Sequence, residues 1–456
     1  MTDKPINLPF RIAIVGSGPS GFYAAEALLR SEPPIEVDVF EKLPVPYGLV
    51  RYGVAPDHHK LKQVTRVFER IAQMEGFRLI GNVCVGEDVT VDALRQCYHA
   101  VIFANGAERE KDLGIDGECL DGSFSAREFV AWYNGHPHYR DLDIDFSHET
   151  AAVIGQGNVA LDVARILLKS EAELSSTDIA DYALEALSQS KVKKVHIIGR
   201  RGPVQAKFTD KELREFKTLP GCDPLVREEE FVLNAASHKE LEDSTDAKLS
   251  TNLEIMQGFE FQPSSDHQKQ CWFRFLQSPS RLMGENRVEA LQLERCALVG
   301  EPLHQIPVPT GQLSRIDCGL VIRCIGYRAK RIPGLPYDTD KGVLRNNQGR
   351  LTKAGESLPG LYAVGWIKRG SSGTIGTNRG DSVDTVKQLL SDLPQLPEPQ
   401  HSRSHILDSL TRSGLRHTSF GDWQKIDIEE VRQGQSLGKP RQKITTLPEM
   451  ISVLDS

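Results

Sequence analysis

The apolar positions of this chain fall into short continuous runs rather than long stripes. Residues 11–15, 100–104, 151–154, 320–325 and 360–364 are each four to six residues long and rich in Ala, Val, Ile and Leu. Runs of this length predict strands buried on both faces, as in a parallel sheet covered by helices. Residues 19–30 carry small side chains along one side and predict a helix, followed by a strand at 36–40. Strand, glycine turn, helix and strand recur at 151–154, 159–169 and 194–198, with an extra helical segment inserted at 178–188. The chain thus predicts two β-α-β units.

The remaining segments organise these units. A loop rich in Pro and Gly covers 43–56, and an amphipathic helix is predicted near 60–74. Residues 221–266 hold eleven Asp/Glu against three Lys/Arg, which predicts a polar elaboration of the second unit containing an antiparallel meander through 271–299. The runs at 100–104 and 320–325 each lead into a glycine, Gly106 and Gly326, and read as two crossings between domains. A further run at 360–364 precedes a glycine-rich loop and a helix over 381–390; beyond 394 come Pro and Ser, then short helices. The expected plan is a first domain at 1–107, a second at 108–326, and a return to the first at 327–456. A length of 456 residues, set against a prior of ~150 per domain, leaves room for that plan.

Composition narrows the function. Counting Gly with the 39% hydrophobic residues brings the apolar share to about 47%, and 26% of the chain is charged, both within the globular range. A formal net charge of −7 argues against a general nucleic-acid binder or an anionic-membrane binder, since both need a positive field. Locally, residues 191–217 hold nine basic residues against three acidic ones, a patch that would steer an acidic partner or serve only as a solvated face. No two of the eight cysteines stand three apart. The absence of CxxC removes the simplest zinc site, a dithiol redox pair and a ferredoxin-type cluster run. Scattered cysteines, an N-terminus without an apolar core and no run of ~18 apolar residues predict a cytoplasmic chain with no membrane insertion.

The glycines carry the chemistry. Gly16-Ser17-Gly18-Pro19-Ser20-Gly21 lies between a predicted strand and helix, the context of a dinucleotide fingerprint: a tight turn, a close backbone approach to pyrophosphate, and close helix–strand packing. Glu41, at the end of the next strand, is an acceptor for a ribose diol and repels a 2′-phosphate, so this site reads as FAD or NAD. The second turn is Gly155-Gln156-Gly157-Asn158-Val159-Ala160. Its following strand ends in Gly199-Arg200-Arg201, where two guanidinium groups replace the acid and suit the 2′-phosphate of NADP. A third cluster, Gly370 to Gly376, precedes a helix whose N–H groups would face a flavin.

These residues resemble the adrenodoxin-reductase-like ferredoxin–NADP reductases, bacterial members included. The likeness rests on residues 14–21, 46–58 (Pro-Tyr-Gly-Leu-Val-Arg-Tyr-Gly-Val-Ala-Pro-Asp-His), 153–165, 198–203 and 364–370, and runs from about residue 10 to the C-terminus. It implies an α/β fold of two Rossmann-like dinucleotide-binding domains, glutathione-reductase-like, with the NADP domain inserted into the FAD domain. It places FAD contacts on Gly16, Gly18, Ser20, Gly21, Glu41, Leu49, a strand around Cys84, Trp366, Gly373, Thr374 and Ile375. NADP contacts fall on Gln156, Gly157, Asn158, Val159, Arg200, Arg201, Glu212 and Gly373, with Lys111 or Arg109 at a further position. His58 and Glu215 match an acid–histidine pair used for proton handling.

The implied activity is that of an FAD-dependent NADPH:ferredoxin oxidoreductase, a flavoprotein passing hydride from NADPH to FAD N5 and then single electrons to an iron–sulfur ferredoxin. The expected state is a monomer. The alternatives are an NADPH:quinone or small-acceptor oxidoreductase, and a redox sensor that holds both dinucleotides without useful turnover.

Overall fold

The computed structural model describes residues 9–244, 248–264 and 266–455. The chain divides into two compact units. One runs up to Val54 and resumes at His58–Arg109 and from Gly326 onward; the other consists of Ala55–Asp57 and Glu110–Ile325.

The first unit is built on a seven-stranded sheet. Its order is Asn346–Asn347, Arg350–Lys353, Glu356–Ala363, Ala100–Phe103, Phe10–Val15, Ile35–Phe40 and Phe77–Ile80. The last five pair in parallel, while the first two add on antiparallel. Ile12, Ala13 and Ile14 are fully buried, which is why this strand reads as an unbroken apolar run. Strand order reverses at Phe10–Val15, so the first glycine turn opens at a topological switch point, where α/β sheets bind ligands. Pro19 occupies the first turn of the helix Pro19–Leu29, where its missing N–H costs nothing.

The second unit has a six-stranded, all-parallel sheet: Ser123–Ser125, Leu320–Arg323, Thr150–Ile154, Lys194–Ile198, Lys269–Arg274 and Cys222–Val226. Its order reverses at Thr150–Ile154, directly before the second glycine turn. A three-stranded antiparallel sheet, Gln277–Met283, Ala290–Val299 and Ile306–Asp317, completes it.

Three expectations are corrected. Lys269–Arg274 is a strand of the parallel sheet and not part of the meander, which starts at Gln277. Cys271 and Phe273 on that strand share a core with Ile255, Met256 and Phe259, so the acidic stretch supplies a strand and covering helices instead of surface decoration. The helix expected at 381–390 begins earlier, at Thr377, and runs to Asp392. The C-terminal helices are not all short: Phe420–Ser436 spans 17 residues. Among the described residues no helix is long and apolar enough to cross a membrane.

Candidate functional site

In the first unit, Gly16 adopts φ +107, and a Cβ there would lie 2.7 Å from the Asn105 Cα. Gly21 is needed for contact, since its Cβ would meet the Gly16 carbonyl oxygen at 2.0 Å. Gly18 differs from both: nothing lies within 4 Å of its would-be Cβ, and no side chain caps the helix start. An open approach to an uncapped helix N-terminus suits a pyrophosphate.

Glu41 is buried beside this turn. It accepts bonds from Ser17 N at 3.1 Å, Ser17 Oγ at 2.6 Å and Leu43 N at 3.2 Å, so its carboxylate is held in one orientation with lone pairs left for a diol. Asn105 Oδ1 is buried with no hydrogen-bond partner. Together an open glycine cradle and an orphaned acceptor fit FAD.

Two distant segments close on the turn. Tyr47 N donates to Ser17 O at 3.0 Å, and Tyr47 has φ 85, a costly conformation for a non-glycine residue that marks a constrained loop. This loop leads into the short helix Leu49–Tyr52, where Leu49 is exposed and Arg51 is buried against Glu430, its Nη1 donating to Oε2 at 2.9 Å. From the other direction, Ser20 Oγ donates to Asn378 Oδ1 at 3.1 Å and Ser382 Oγ to Ser20 O at 3.0 Å. The earlier start of the helix Thr377–Asp392 thereby brings the third glycine cluster to the first. Gly373 has φ +81, Thr374 N donates to Thr377 Oγ1 at 3.1 Å, and Ile375 packs on the unit's core. Trp366 opens the helix Trp366–Arg369 and stacks on Tyr327 with centroids 5.8 Å apart.

Cys84 lies in a loop, not the expected strand, because the chain leaves the sheet at Ile80. Its N–H donates to Asp88 Oδ2 at 2.7 Å. Burial, assisted by the neighbouring Glu87, pushes the Cys84 thiol up to about 11, so it stays protonated. His58 precedes the short helix His59–Lys62, its carbonyl accepting from Leu61 N at 3.1 Å.

In the second unit the pattern repeats with different chemistry. Gly155 adopts φ +143, and its Cβ would lie 2.2 Å from the Cys324 carbonyl oxygen. Gly157 opens onto free space at an uncapped helix start, Asn158–Leu168. Gln156 crosses Gly199 so closely that a Cβ there would meet Gln156 Cδ at 1.9 Å, and Gln156 Nε2 donates to Arg274 O at 3.3 Å. Val159 packs on the core behind the turn.

Arg200 is exposed and Arg201 half-buried. Among the described residues no carboxylate pairs with either guanidinium, while the backbone beneath them is held by Leu276 N donating to Arg201 O at 2.9 Å. Two anchored, unneutralised arginines at a strand end fit a 2′-phosphate. Glu212, in Asp210–Glu215, keeps Oε2 buried without a hydrogen bond, an acceptor available to a sugar hydroxyl or an amide. Lys111 and Arg109 are both exposed. Glu215 lies 3.4 Å from the Arg165 guanidinium. It belongs to the second unit and His58 to the first.

Sequence reasoning passed over Asn105, Asn378, Thr209 and Arg165. Asn378, Thr209 and Arg165 act through contacts made across the fold, Asn105 stands out by its unpartnered buried Oδ1, and only Arg165, an arginine on the apolar side of a predicted helix, carried a visible signal.

Two units, each with a glycine turn at a sheet switch point and one with a paired-arginine strand end, define a two-nucleotide oxidoreductase. The family model described as pyridine nucleotide-disulphide oxidoreductase matches residues 10–218, although all eight cysteines here are free. Human mitochondrial NADPH:adrenodoxin oxidoreductase is 43% identical, over 97% of this chain and 92% of its own length. NADPH-ferredoxin reductase FprA of Mycobacterium tuberculosis is 41% identical, over 98% of this chain and 99% of its own. The solved structure of that FprA in complex with NADPH superimposes with a TM-score of 0.93 at 40% identity, covering 98% of this chain and 100% of that one. The chain belongs to the family of NADPH:adrenodoxin and NADPH:ferredoxin oxidoreductases.

Proposed function

We propose that this protein is an FAD-dependent NADPH:ferredoxin oxidoreductase. Electrons enter as hydride from NADPH and leave singly to an iron–sulfur ferredoxin. The observation that carries the reading is the contrast between the two strand ends: a carboxylate fixed by Ser17 and Leu43 in one unit, and two anchored arginines in the other.

Bound FAD would supply a carrier that accepts two electrons together and releases them one at a time. The chain's own residues do the rest. Gly18 admits the pyrophosphate to the start of the helix Pro19–Leu29, Gly16 and Gly21 allow the close packing of the turn and helix beneath it, and Ser20 ties that helix to Thr377–Asp392. Glu41 holds the ribose diol, while Leu49, Cys84, Trp366 and the loop Gly373, Thr374, Ile375 line the remaining length of the flavin. Gln156, Gly157, Asn158 and Val159 cradle the NADP pyrophosphate, Arg200 and Arg201 read its 2′-phosphate, and Glu212 accepts a hydrogen bond from a sugar hydroxyl or the amide of that nucleotide. Lys111 adds a cation, and Gly373 also serves the nicotinamide end. His58 and Glu215 hold and pass protons. The protein works as a cytoplasmic monomer; its eight free cysteines suit a reducing compartment.

Rapid mixing with NADPH tests the reading. The purified protein is expected to contain FAD that NADPH bleaches far faster than NADH, and to reduce a ferredoxin in turnover. Equal rates with the two nucleotides would overturn it, and preference for quinones over every ferredoxin tried would favour the small-acceptor reading.

A further inference from the structure

The helix Thr377–Asp392 turns a polar face inward. Asp381, Ser382 and Thr385 follow Asn378 by three, four and seven positions, the spacing at which a helix ordinarily presents its apolar stripe. Asn378 is 8% exposed, and Ser382 and Thr385 are fully buried. Buried polar groups are tolerated when they are hydrogen-bonded, and each of these is. Ser382 Oγ donates to Ser20 O, as described above, and Thr385 Oγ1 accepts from Lys368 Nζ at 3.0 Å. Asp381 Oδ2 accepts from Gly365 N at 2.5 Å, and its Oδ1 lies 2.8 Å from Lys368 Nζ.

Asn378 stands at the N-terminal end of this stripe and joins three segments at once. Its Oδ1 accepts from Ser20 Oγ at 3.1 Å, in the helix that follows the first glycine turn, and from Arg369 Nη2 at 2.7 Å. Its Nδ2 donates to Thr374 O at 3.1 Å, in the loop 370–376. The neighbours dictate which way the amide faces, because a guanidinium can only donate and a carbonyl can only accept. Aspartate would set an oxygen against Thr374 O, and an apolar residue would leave both sides unpaired. The same loop is gripped at Ser372. Arg369 Nη1 donates to Ser372 O and, at 3.1 Å, to Ser372 Oγ, and Trp366 Nε1 donates to Ser372 O at 3.1 Å. Arg369 thus holds the loop with one arm and Asn378 with the other.

We infer that Asn378 is the positioning residue for the flavin loop, fixing Gly373, Thr374 and Ile375 relative to the first glycine turn. The pyrophosphate and the ring system of one FAD then meet surfaces already in register, which spares the cost of ordering them on binding. This rests on the reading above that places FAD on those residues. Asn378 acts through Thr374, Arg369 and Ser20. The contact with Ser20 also depends on Gly365, which has φ +71 and whose Cβ would lie 2.1 Å from Ser20 Oγ.

The test uses the full-length holoenzyme. Asn378→Ser shortens the side chain and removes the amide. Asn378→Asp keeps the shape and the bonds from Ser20 and Arg369, gives up the bond to Thr374, and serves if the first variant fails to fold. Thr385→Val, on the same buried face but bonded to neither Ser20 nor the loop, controls for loss of stability alone. Both Asn378 variants are expected to release FAD about tenfold faster than wild type or more, the effect of roughly one well-made hydrogen bond, read by the rise in flavin fluorescence on dilution. The visible absorption band of the bound flavin is expected to shift with it. Thr385→Val is expected to melt at lower temperature with both flavin readouts at wild-type values. A folded Asn378 variant with wild-type release and absorption would overturn the inference, and so would equal changes in Thr385→Val, which would make Asn378 one part of the general packing. Failure of the underlying reading looks different: the wild-type protein would then hold no FAD, or Gly373→Val in the loop itself would leave release and absorption unchanged.

Discussion

Asn158 and Thr209 bind each other twice. Asn158 Nδ2 donates to Thr209 Oγ1 at 3.2 Å, and Thr209 N donates to Asn158 Oδ1 at 2.8 Å. The first residue of the nucleotide helix is thereby joined to the residue before Asp210–Glu215, which carries Glu212 and Glu215. Asn158→Ala removes both bonds and strands a partly buried N–H, at a cost of about 1–3 kcal/mol. We expect thermal unfolding at lower temperature and a raised KM for NADPH, with FAD content unchanged; kinetics and flavin absorbance on the same preparation check this.

Gly18 and Gly21 separate folding from binding. A Cβ at Gly21 strikes the Gly16 carbonyl at 2.0 Å, whereas one at Gly18 enters open space. Gly21→Ala should destabilise the first unit by several kcal/mol, in the range of core overpacking, and yield poorly folded protein. Gly18→Ala should leave the apoprotein as stable as wild type and weaken FAD binding by at least tenfold, since the methyl takes the space the pyrophosphate requires. Apoprotein melting and FAD titration distinguish the two.

Arg200 and Arg201 are expected to discriminate between nucleotides. Charge-assisted hydrogen bonds contribute roughly 1.5–3 kcal/mol each. Arg200→Ala/Arg201→Ala together should therefore raise the KM for NADPH on the order of 10²-fold or more and that for NADH by less than threefold. Steady-state kinetics with both nucleotides gives the ratio. An unchanged preference would mean that the 2′-phosphate is read elsewhere.

Two acids, Glu230 buried and Glu110 half-buried, predict a pH dependence of stability. Burial raises Glu110 and Glu230 from 4.5 to about 7, only partly opposed by the Arg127 N–H and Ser125 at the first and by Arg295 at the second. In each, Oε1 is buried without a hydrogen-bond partner. The folded chain therefore holds protons that the unfolded chain has released between those two values. Their contribution is fully present below pH about 4.5 and is lost as pH rises through about 7. Glu110→Gln/Glu230→Gln should unfold at higher temperature than wild type at pH 8.5 and lose that advantage at pH 5. Melting curves at both pH values decide it.

The glycine turns, Glu41 and the arginine pair were legible because each is local: a strand, a turn and a strand end lie within a few dozen residues. The strand Lys269–Arg274 was not, because its alternation of buried and half-exposed positions fits a meander as well as a parallel sheet. Only pairing with Lys194–Ile198 decides between them. The start of the helix at Thr377 was not legible because Gly380 interrupts its periodicity, although Ser20 and Asn378, 358 positions apart, fix that start. Arg51 and Glu430, 379 apart, show the same limit: tertiary partners of buried charges leave no mark near either residue.

The assignment of Ala55–Asp57 to the second unit bears on any attempt to cut this protein into modules. A fragment spanning 110–325 would carry Arg165 into its core without Asp57, 108 residues upstream, and Lys169 would lose the same partner. An excised or transplanted nucleotide module would need those three residues supplied, or a neutral replacement at Arg165. During synthesis the acid emerges long before its arginine, so this part of the core closes only when both ends of that span are available.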